Sequence, residues 1–208
     1  MTGILEWLVK ADHSLFFMLN GMASSPALAA SAKALSDLGA YPVIFLAGLV
    51  LALDGWRPLK RYALAFLMIA PLALAVNAGL KQSIARPRPL SYYQVALSRN
   101  EVSILAGERL RKRSFPSGHS TLAFFALGYL AWTKRRHAAW ALLLAAAIAW
   151  SRVAMGSHFP LDCLAGACLG LFWAWAAWRV CRYLEQASWM NRDKTGGPGP
   201  SSGSCSAS

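Results

Sequence analysis

Five long apolar stretches constrain this chain more than any other feature of its sequence. Basic residues fill most connections between them, and the stretches cover residues 41–53, 62–80, 120–132, 138–154 and 161–180. A helix needs about 17 to 25 mostly apolar residues to cross the hydrocarbon of a bilayer, so the shorter stretches must extend into their flanks. Residues 14–35 form a weaker sixth candidate, because Asn20 and Lys33 interrupt the apolar run. The pattern predicts an all-α polytopic membrane helical bundle with about six transmembrane helices, and five is the alternative count.

Composition agrees with a membrane protein. Hydrophobic residues make up 56% of the 208 residues, above the roughly 45 to 50% of a soluble domain. Glu6, Lys10 and Asp12 stand where a cleaved signal peptide needs an unbroken apolar core, so the N-terminus is expected to stay in the mature protein. Residues 1–190 are predicted to form one membrane domain. Residues 191–208, rich in Gly, Pro and Ser from 195 onward, are predicted to be a disordered cytoplasmic tail.

The basic residues predict how the helices are oriented. The net charge is +12, but the cations do not line one exposed helix face, so anionic lipid and phosphate explain them better than nucleic acid. With six alternating spans, the cations at 57–61 and 134–136 and both termini lie on one side, which is then the cytoplasmic side of a bacterial inner membrane. The outward loop 82–115 is nevertheless basic, which predicts anion binding there. Its cations are Arg86, Arg88, Arg99, Arg109, Arg111, Lys112 and Arg113.

Three short blocks combine cations, histidines and small polar residues near the outward ends of apolar stretches. They are Lys81 with Arg88 and Pro89; Pro116, Ser117, Gly118 and His119; and Ser151 and Arg152 with His158 and Asp162. In the third block Pro160 suits the first turn of a helix, so His158 and Asp162 can share a face. The carboxylate can hold one imidazole nitrogen protonated, which prepares His158 as a nucleophile or a base. Arg152 offers a fork of donors for a phosphoryl group.

The other two blocks offer an anion site and an acid. Residues 116–118 directly precede an apolar run, so they predict a helix start whose N–H groups can bind an anion, with Gly118 allowing a close approach. His119 is placed to protonate a departing oxygen. Lys81 and Arg88 add two fixed positive charges for the oxygens of a phosphoryl group.

These blocks resemble the pattern of the type 2 phosphatidic acid phosphatase (PAP2) family, which also includes vanadium haloperoxidases. That pattern is Lys, six residues, Arg-Pro; then Pro-Ser-Gly-His; then Ser-Arg, five residues, His, three residues, Asp, and all of it is present here in order. The resemblance implies a PAP2/haloperoxidase-like helical core. It also implies a phosphohistidine at His158, oriented by Asp162, with His119 as the acid. The phosphate would be bound by Lys81, Arg88, Ser117, Gly118 and Arg152, and no metal or cofactor is needed.

A looser resemblance concerns the substrate. Ser14-Leu-Phe with Leu19-Asn20, and Ala149-Trp-Ser-Arg followed by His-Phe-Pro-Leu-Asp, are similar to bacterial members that act on undecaprenyl pyrophosphate. The resemblance implies a metal-independent hydrolase whose partners are a lipid pyrophosphate and the bilayer. Phosphatases of lipid A, phosphatidylglycerophosphate and phosphatidate share the three blocks and stay alternatives, as does a lipid phosphotransferase.

Other interpretations of the same residues compete with these. A protein that binds or carries a phospholipid without cleaving it would need only Lys and Arg, whereas this chain adds two histidines and an orienting Asp162. A vanadate haloperoxidase is disfavoured, because those relatives are soluble. His13 and His137 are expected to be solvated interfacial residues, and the cysteines small packing residues. Arg86 and Tyr92 are candidates for contact with a second phosphate.

Overall fold

The protein is helical throughout its described part. A computed structural model describes residues 2–105 and 112–194, and for residues 2 and 189–194 only their place in a helix. Within these ranges the chain forms helices and connections and no strand, which confirms the predicted all-α class. The helices are α1 (Thr2–Gly21), α2 (Pro26–Leu38), α3 (Pro42–Ala52), α4 (Trp56–Ile84), α5 (Pro89–Tyr92), α6 (Gln94–Ser98), α7 (Gly118–Thr133), α8 (Ala138–Ala154) and α9 (Pro160–Lys194).

Three helical segments are long and apolar enough to cross a membrane, and they make the chain a membrane protein. They are Trp56–Ser98, Arg135–Ala154 and Pro160–Ser188. Helices α1 and α2 add a fourth span only if the pair is counted as one despite its bend. Helix α3 has 11 residues, so it is about 16 Å long and shorter than the hydrocarbon core of roughly 30 Å. The predicted count of six spans is therefore not confirmed.

The predicted span at 14–35 is broken in the middle. Helices α1 and α2 meet at an angle of 113°. Ser25 is extended, with φ −79° and ψ 144°, and its hydroxyl accepts a hydrogen bond from the backbone N–H of Leu28 at 3.3 Å. Proline at position 26 disfavours a helical conformation of the residue before it and cannot donate to the preceding turn. The Ser-Pro pair therefore starts a new helix, which the apolar composition of the segment concealed.

Helix α7 lies at the centre of the bundle and packs most closely against α9. A Cβ atom on Gly166 would stand 2.6 Å from the carbonyl oxygen of Ser117, and one on Gly170 would stand 2.5 Å from that of Thr121. Only glycine allows the two backbones to approach this closely. The contact also fixes the start of α7, where the second sequence block lies, against the first turns of α9.

The helices alternate in direction, so chemically different ends result. At the site end, α4 and α8 finish while α7 and α9 begin. At the far end, Lys134 contacts Asp54, and Arg61 lies 3.6 Å from Glu185. Helix α9 continues to Lys194, past the predicted tail boundary at 190. Residues 195–208, including Cys205, and the loop cations Arg109 and Arg111 lie outside the described residues.

Candidate active site

Hydrogen bonds to backbone carbonyls join the three sequence blocks at the site end. The N–H of Ser114, just ahead of the second block, donates to the carbonyl of Arg86 at 2.9 Å. The N–H of Ser117 donates to the carbonyl of Asp162 at 2.9 Å, and the Arg88 guanidinium donates to the carbonyl of Ser157 at 3.0 Å. Segments separated by dozens of residues therefore meet in one place.

His158 is buried, and its two ring nitrogens have different surroundings. Nε2 lies 3.4 Å from Nη1 of Arg88, and Nδ1 lies 3.7 Å from Oδ2 of Asp162. A guanidinium can only donate, so Nε2 next to it must carry the lone pair. The proton of the neutral ring then resides on Nδ1, facing the carboxylate. At 3.7 Å this second contact is electrostatic rather than a short hydrogen bond.

The electrostatics of the pocket keep the His158 ring neutral. The pKa of His158 is lowered from its ordinary 6.5 to about 4, mainly by burial and also by the charges of Arg88 and Arg152, whereas Asp162 opposes the shift. A neutral imidazole at physiological pH has a lone pair available on Nε2. The ring is therefore able to attack an electrophile at this atom.

Asp162 is held from several directions at the start of α9. Its Oδ2 accepts from the N–H of Phe159 at 2.9 Å, so the third residue of the helix caps the residue ahead of it, as in a capping box. Its Oδ1 accepts from Nη1 of Arg86 at 2.8 Å. The predicted sharing of one face by His158 and Asp162 thus results from the local chemistry of a helix N-terminus.

The predicted phosphate-binding cations gather around His158. Arg88 is 7% exposed and also donates through Nε to the carbonyl of Lys112 at 3.0 Å. Arg152, 1% exposed, donates to the hydroxyl of Ser36. The Lys81 ammonium lies next to Gly118, 3.5 Å from the point that a Cβ on this glycine would occupy. Lys81 also interacts electrostatically with Arg88 and Arg152.

The start of α7 completes this arrangement. The Ser117 hydroxyl accepts from the N–H of Ser120 at 3.4 Å and from its hydroxyl at 3.0 Å, so it caps the helix as predicted. The first N–H groups of a helix point out of its end, and the helix dipole makes that end positive. Gly118 follows directly next to Lys81, and His119 lines an adjacent groove.

An apolar groove runs along α3, α4 and α7 to this point. Its volume is about 310 Å³, and its wall ends at Gly118 and His119. Most of the lining is apolar. The lining residues are Gly39, Ala40, Tyr41, Ile44, Phe66, Ala70, Ala73, Leu74, Asn77, Gly118, His119, Thr121, Leu122 and Phe125.

Sequence reasoning missed the contribution of α1 to the site. Asp12 is buried, and its Oδ2 accepts from Nη2 of Arg86 at 2.6 Å. Asp12, Phe16 and Asn20 are all buried, and their spacing of four residues places them on one face of α1. This spacing in the sequence could have indicated that one face of α1 is buried. Both terminal nitrogens of Arg86 bind carboxylates, and its contact with a second phosphate stays a prediction.

Two smaller expectations, on His13 and on the cysteines, have mixed outcomes. His13 is not simply an interfacial residue, since its ring stacks on Phe159 at 4.9 Å and its Nδ1 pairs with the Tyr93 hydroxyl at 2.8 Å. Cys163 and Cys181 are buried as expected for packing residues, but Cys168 is exposed. In the described part of the chain, no three His, Cys, Asp or Glu side chains are grouped closely enough to hold a metal ion.

Comparison with known proteins gives this arrangement a family. The sequence pattern of the PAP2 superfamily matches residues 61–186, which include all three blocks. The chain belongs to the PAP2 superfamily. It is 41% identical over 83 residues to the putative undecaprenyl-diphosphatase YbjG of Escherichia coli, covering 36% of this chain and 42% of that protein. It is 45% identical over 69 residues to the bacitracin transport permease protein BcrC of Bacillus licheniformis, covering 31% of this chain and 34% of that protein.

Two solved PAP2-like structures share the fold. The crystal structure of Aquifex aeolicus LpxE superposes with a TM-score of 0.63 at 26% identity, covering 80% of this chain and 93% of that one. The PAP2 type phosphatidylglycerolphosphate phosphatase of Bacillus subtilis gives a TM-score of 0.51 at 21% identity, covering 85% of this chain and 95% of that one. By sequence, however, the matched segments span less than half the length of YbjG or BcrC.

Proposed function

We propose that this PAP2 protein is a metal-independent lipid phosphatase that hydrolyses undecaprenyl pyrophosphate through a phosphohistidine at His158. The observation that carries the proposal is the environment of His158. Its Nε2 lone pair faces the cations, and its Nδ1 faces Asp162. A site that only binds a phosphate would need the cations but no oriented neutral imidazole.

In the first step the terminal phosphate enters the cationic pocket. Lys81, Arg88 and Arg152, together with the Ser117 hydroxyl and the N–H group of Gly118, bind its oxygens, and the phosphate displaces the contact between Arg88 and Nε2. Nε2 attacks the terminal phosphorus. The P–N bond forms as the P–O bond to the lipid phosphate breaks, and His119 donates its proton to the departing oxygen.

In the second step water attacks the phosphorus of phosphohistidine. His119, now neutral, takes one proton from the water as the P–O bond forms and the P–N bond breaks. Inorganic phosphate leaves, and His158 and His119 return to their starting states. Asp162 stabilises the positive ring during both steps, because its carboxylate lies beside Nδ1.

The apolar groove supports a lipid as the substrate. It is lined by α3, α4 and α7, of which α4 belongs to a membrane-spanning segment, and it reaches His119 and Gly118. A prenyl or acyl chain can occupy it while the headgroup reaches Lys81. The similarity to the putative undecaprenyl-diphosphatase YbjG favours a prenyl pyrophosphate among lipid phosphates. Lipid A, phosphatidylglycerophosphate and phosphatidate are the alternatives, and a phosphotransferase would use a second lipid in place of water.

We further propose that the protein lies in the bacterial inner membrane with its site on the periplasmic side. Cations at Arg61 and Lys134 belong to the far end, where they pair with acidic residues. The connections at that end hold six cations at 57–61 and 134–136, which favour the cytoplasm and would also place the termini there, whereas the cations of the site end are assigned to phosphate binding. Cysteine accessibility to a membrane-impermeant maleimide at exposed Ser98 and Arg135 would test this orientation.

The function is tested with purified protein in detergent, with EDTA present. Release of inorganic phosphate is measured from undecaprenyl pyrophosphate, phosphatidylglycerophosphate, phosphatidate and lipid A. We expect the first to be cleaved fastest. His158→Ala is expected to lower kcat by about 10⁴ or more. The control is His137→Ala, which removes a histidine at the far end whose ring accepts hydrogen bonds from its near neighbours Arg136 and Trp140.

Trapping separates hydrolysis from binding. Phosphohistidine is hydrolysed in acid. The reaction is therefore quenched in alkali after the protein is mixed with substrate labelled on the terminal phosphate. Label on the wild type but not on His158→Ala supports the covalent step. Full activity of His158→Ala refutes the mechanism. Tight binding of the labelled lipid without release of phosphate would identify a binding protein instead.

A further inference from the structure

Arg86 is a charged group at the site end that the proposed mechanism does not use. Arg86 binds Oδ1 of Asp162 at 2.8 Å through Nη1 and Oδ2 of Asp12 at 2.6 Å through Nη2. Its guanidinium carbon also lies 4.4 Å from the centre of the Phe159 ring. Two carboxylates and an aromatic ring therefore fix one planar group.

Asp12 is anchored independently of Arg86. Its Oδ1 accepts from the N–H of Leu161 at 2.8 Å. Leu161 is in the first turn of α9, where N–H groups have no partner within the helix and an acidic side chain is stabilised by the dipole. A residue of α1 thus caps α9, and it does so next to Asp162.

These contacts form a closed loop of three segments. Asp12 on α1 binds the start of α9, the start of α9 carries Asp162, and Arg86 joins Asp162 back to Asp12. Both carboxylate oxygens of Asp162 then have partners. Oδ1 accepts from Arg86, and Oδ2 accepts from the N–H of Phe159 and faces His158. The plane of this carboxylate cannot turn without breaking one of these bonds.

We propose that Asp12 and Arg86 are positioning residues that hold Asp162 in the orientation needed to keep the proton of His158 on Nδ1. The inference rests on the proposed function, in which Nε2 is the attacking atom. Without Arg86, two buried carboxylates would face each other as like charges, and one would turn away or gain a proton. Asp162 would then orient His158 less well, although all the groups that bind phosphate would still be present.

The steady-state test compares Arg86→Gln, Asp12→Asn and the double variant, with undecaprenyl pyrophosphate and phosphatidate as probes. We expect Arg86→Gln to lower kcat by about tenfold to hundredfold, with KM changed by no more than about twofold, because geometry is lost and binding is kept. Asp12→Asn is expected to lower kcat by about fivefold. The double variant should lose little more than Arg86→Gln, since residues in one chain of contacts are not additive.

Matched controls separate positioning from general damage. Asp37→Asn removes an acid of the same kind from the exposed Lys33 pair on α2, where the ions are 3.0 Å apart, and should leave kcat unchanged. Arg86→Lys keeps the charge without the planar fork, so its kcat should lie between those of the wild type and Arg86→Gln. Thermal unfolding in detergent shows whether Arg86→Gln folds. If it does not, Arg86→Lys takes its place as the test variant.

A spectroscopic readout does not depend on turnover. The chain has four histidines, so ¹⁵N-histidine NMR can follow each ring, with His158→Gln assigning one of them. We expect the wild type to show the Nδ1–H form at His158 and Arg86→Gln to show a mixture of both neutral forms. An unchanged spectrum, or a larger KM with unchanged kcat, overturns the positioning role; the latter would make Arg86 a phosphate ligand.

Failure of the proposed function has a different signature. If the wild type releases no phosphate from any lipid, or if His158→Ala is as active as the wild type, the phosphohistidine mechanism is wrong and the positioning role falls with it. If His158→Ala is inactive but Arg86→Gln and Asp12→Asn both retain wild-type kcat, only the positioning role is wrong.

Discussion

The two ends of the helical bundle both carry charged side chains, but they pair them differently. At the far end, the partly buried cations Lys134 and Arg61 lie beside Asp54 and Glu185, whereas the other cations of the two connections, Arg57, Lys60, Arg135 and Arg136, are exposed. The site end brings together more cations than carboxylates. Its cations are Lys81, Arg86, Arg88 and Arg152, and its carboxylates are Asp12 and Asp162. Paired charges anchor helices, whereas an excess of one sign in a buried pocket attracts an ion of the other.

The chemistry of the acceptors shows the same contrast. Arg88 donates to the backbone carbonyls of Lys112 and Ser157, which orient the guanidinium without cancelling its charge. Asp54 at the far end accepts from the Tyr62 hydroxyl at 3.0 Å and contacts Lys134, so both its oxygens serve structure. Changes at the site end should therefore affect activity first, and changes at the far end should affect stability alone.

The largest difference between the two ends is expected from removing one arginine at each. Arg88→Gln should lower kcat/KM by about 10² to 10³, because it removes a fixed donor for the phosphate and a neighbour of Nε2. Arg61→Gln should change kcat/KM by no more than about twofold, since a partly exposed ion pair contributes little. Initial rates of phosphate release from undecaprenyl pyrophosphate measure both. Similar losses from the two variants would contradict the division of roles.

A smaller effect is expected from a change in the close contact between α9 and the start of α7. Gly166→Ala places a methyl group where only 2.6 Å separates it from the Ser117 carbonyl, so the start of α7 must move. We expect kcat/KM to fall by about tenfold to hundredfold and the free energy of unfolding by about 1 to 3 kcal/mol. Gly48→Ala is the control, because a Cβ there meets nothing within 4 Å. Equal behaviour of the two variants would show that this contact does not hold the site.

The pH dependence of His158 sharpens the comparison further. The pKa of His158 in the folded protein is about 4, below the ordinary 6.5. Between pH 6.5 and about 4 the unfolded chain binds a proton at this residue and the folded one does not, so the free energy of unfolding should fall as the pH falls through this range. Above pH 6.5 this contribution is constant. A ¹⁵N NMR titration of His158 with a midpoint near 6.5 would contradict the buried, neutral ring.

The smallest effect is expected at the far end. Asp54→Asn keeps the shape of the side chain but weakens its contacts with Lys134 and Tyr62. The free energy of unfolding should fall by about 1 kcal/mol, while kcat stays within about twofold of the wild type. Thermal unfolding in detergent and the phosphate-release assay report the two quantities. A loss of kcat without loss of stability would link the far end to the chemistry.

Much of the local structure could be predicted because its signals are close together in the sequence. The apolar stretch 138–154 coincides with α8, Pro160 begins α9 as expected, and Ser117 caps α7. Prolines, capping residues and apolar runs act over a few residues, so a pattern reveals them. The break at Ser25 had the same kind of signal, but the apolar residues on both sides favoured one continuous span.

The contacts that complete the site could not be predicted in this way. Arg86 reaches Asp12 across 74 residues of sequence, and Asp12 reaches Leu161 across 149. Nothing near Asp12 distinguishes a buried partner of Arg86 from an ordinary charged residue in a helix that begins a membrane protein. The aromatic contact of His13 with Phe159 has the same origin, since both depend on how α1 packs against α9.

The sequence by itself determined a helical membrane protein and the residue types of its candidate site, because apolar length and short motifs are encoded locally. The tertiary structure alone decided which nitrogen of His158 carries the lone pair, which acids hold Arg86, and where an apolar groove reaches His119. Electrostatic pairing depends on distances between groups far apart in the chain, and only the packed helices set those distances.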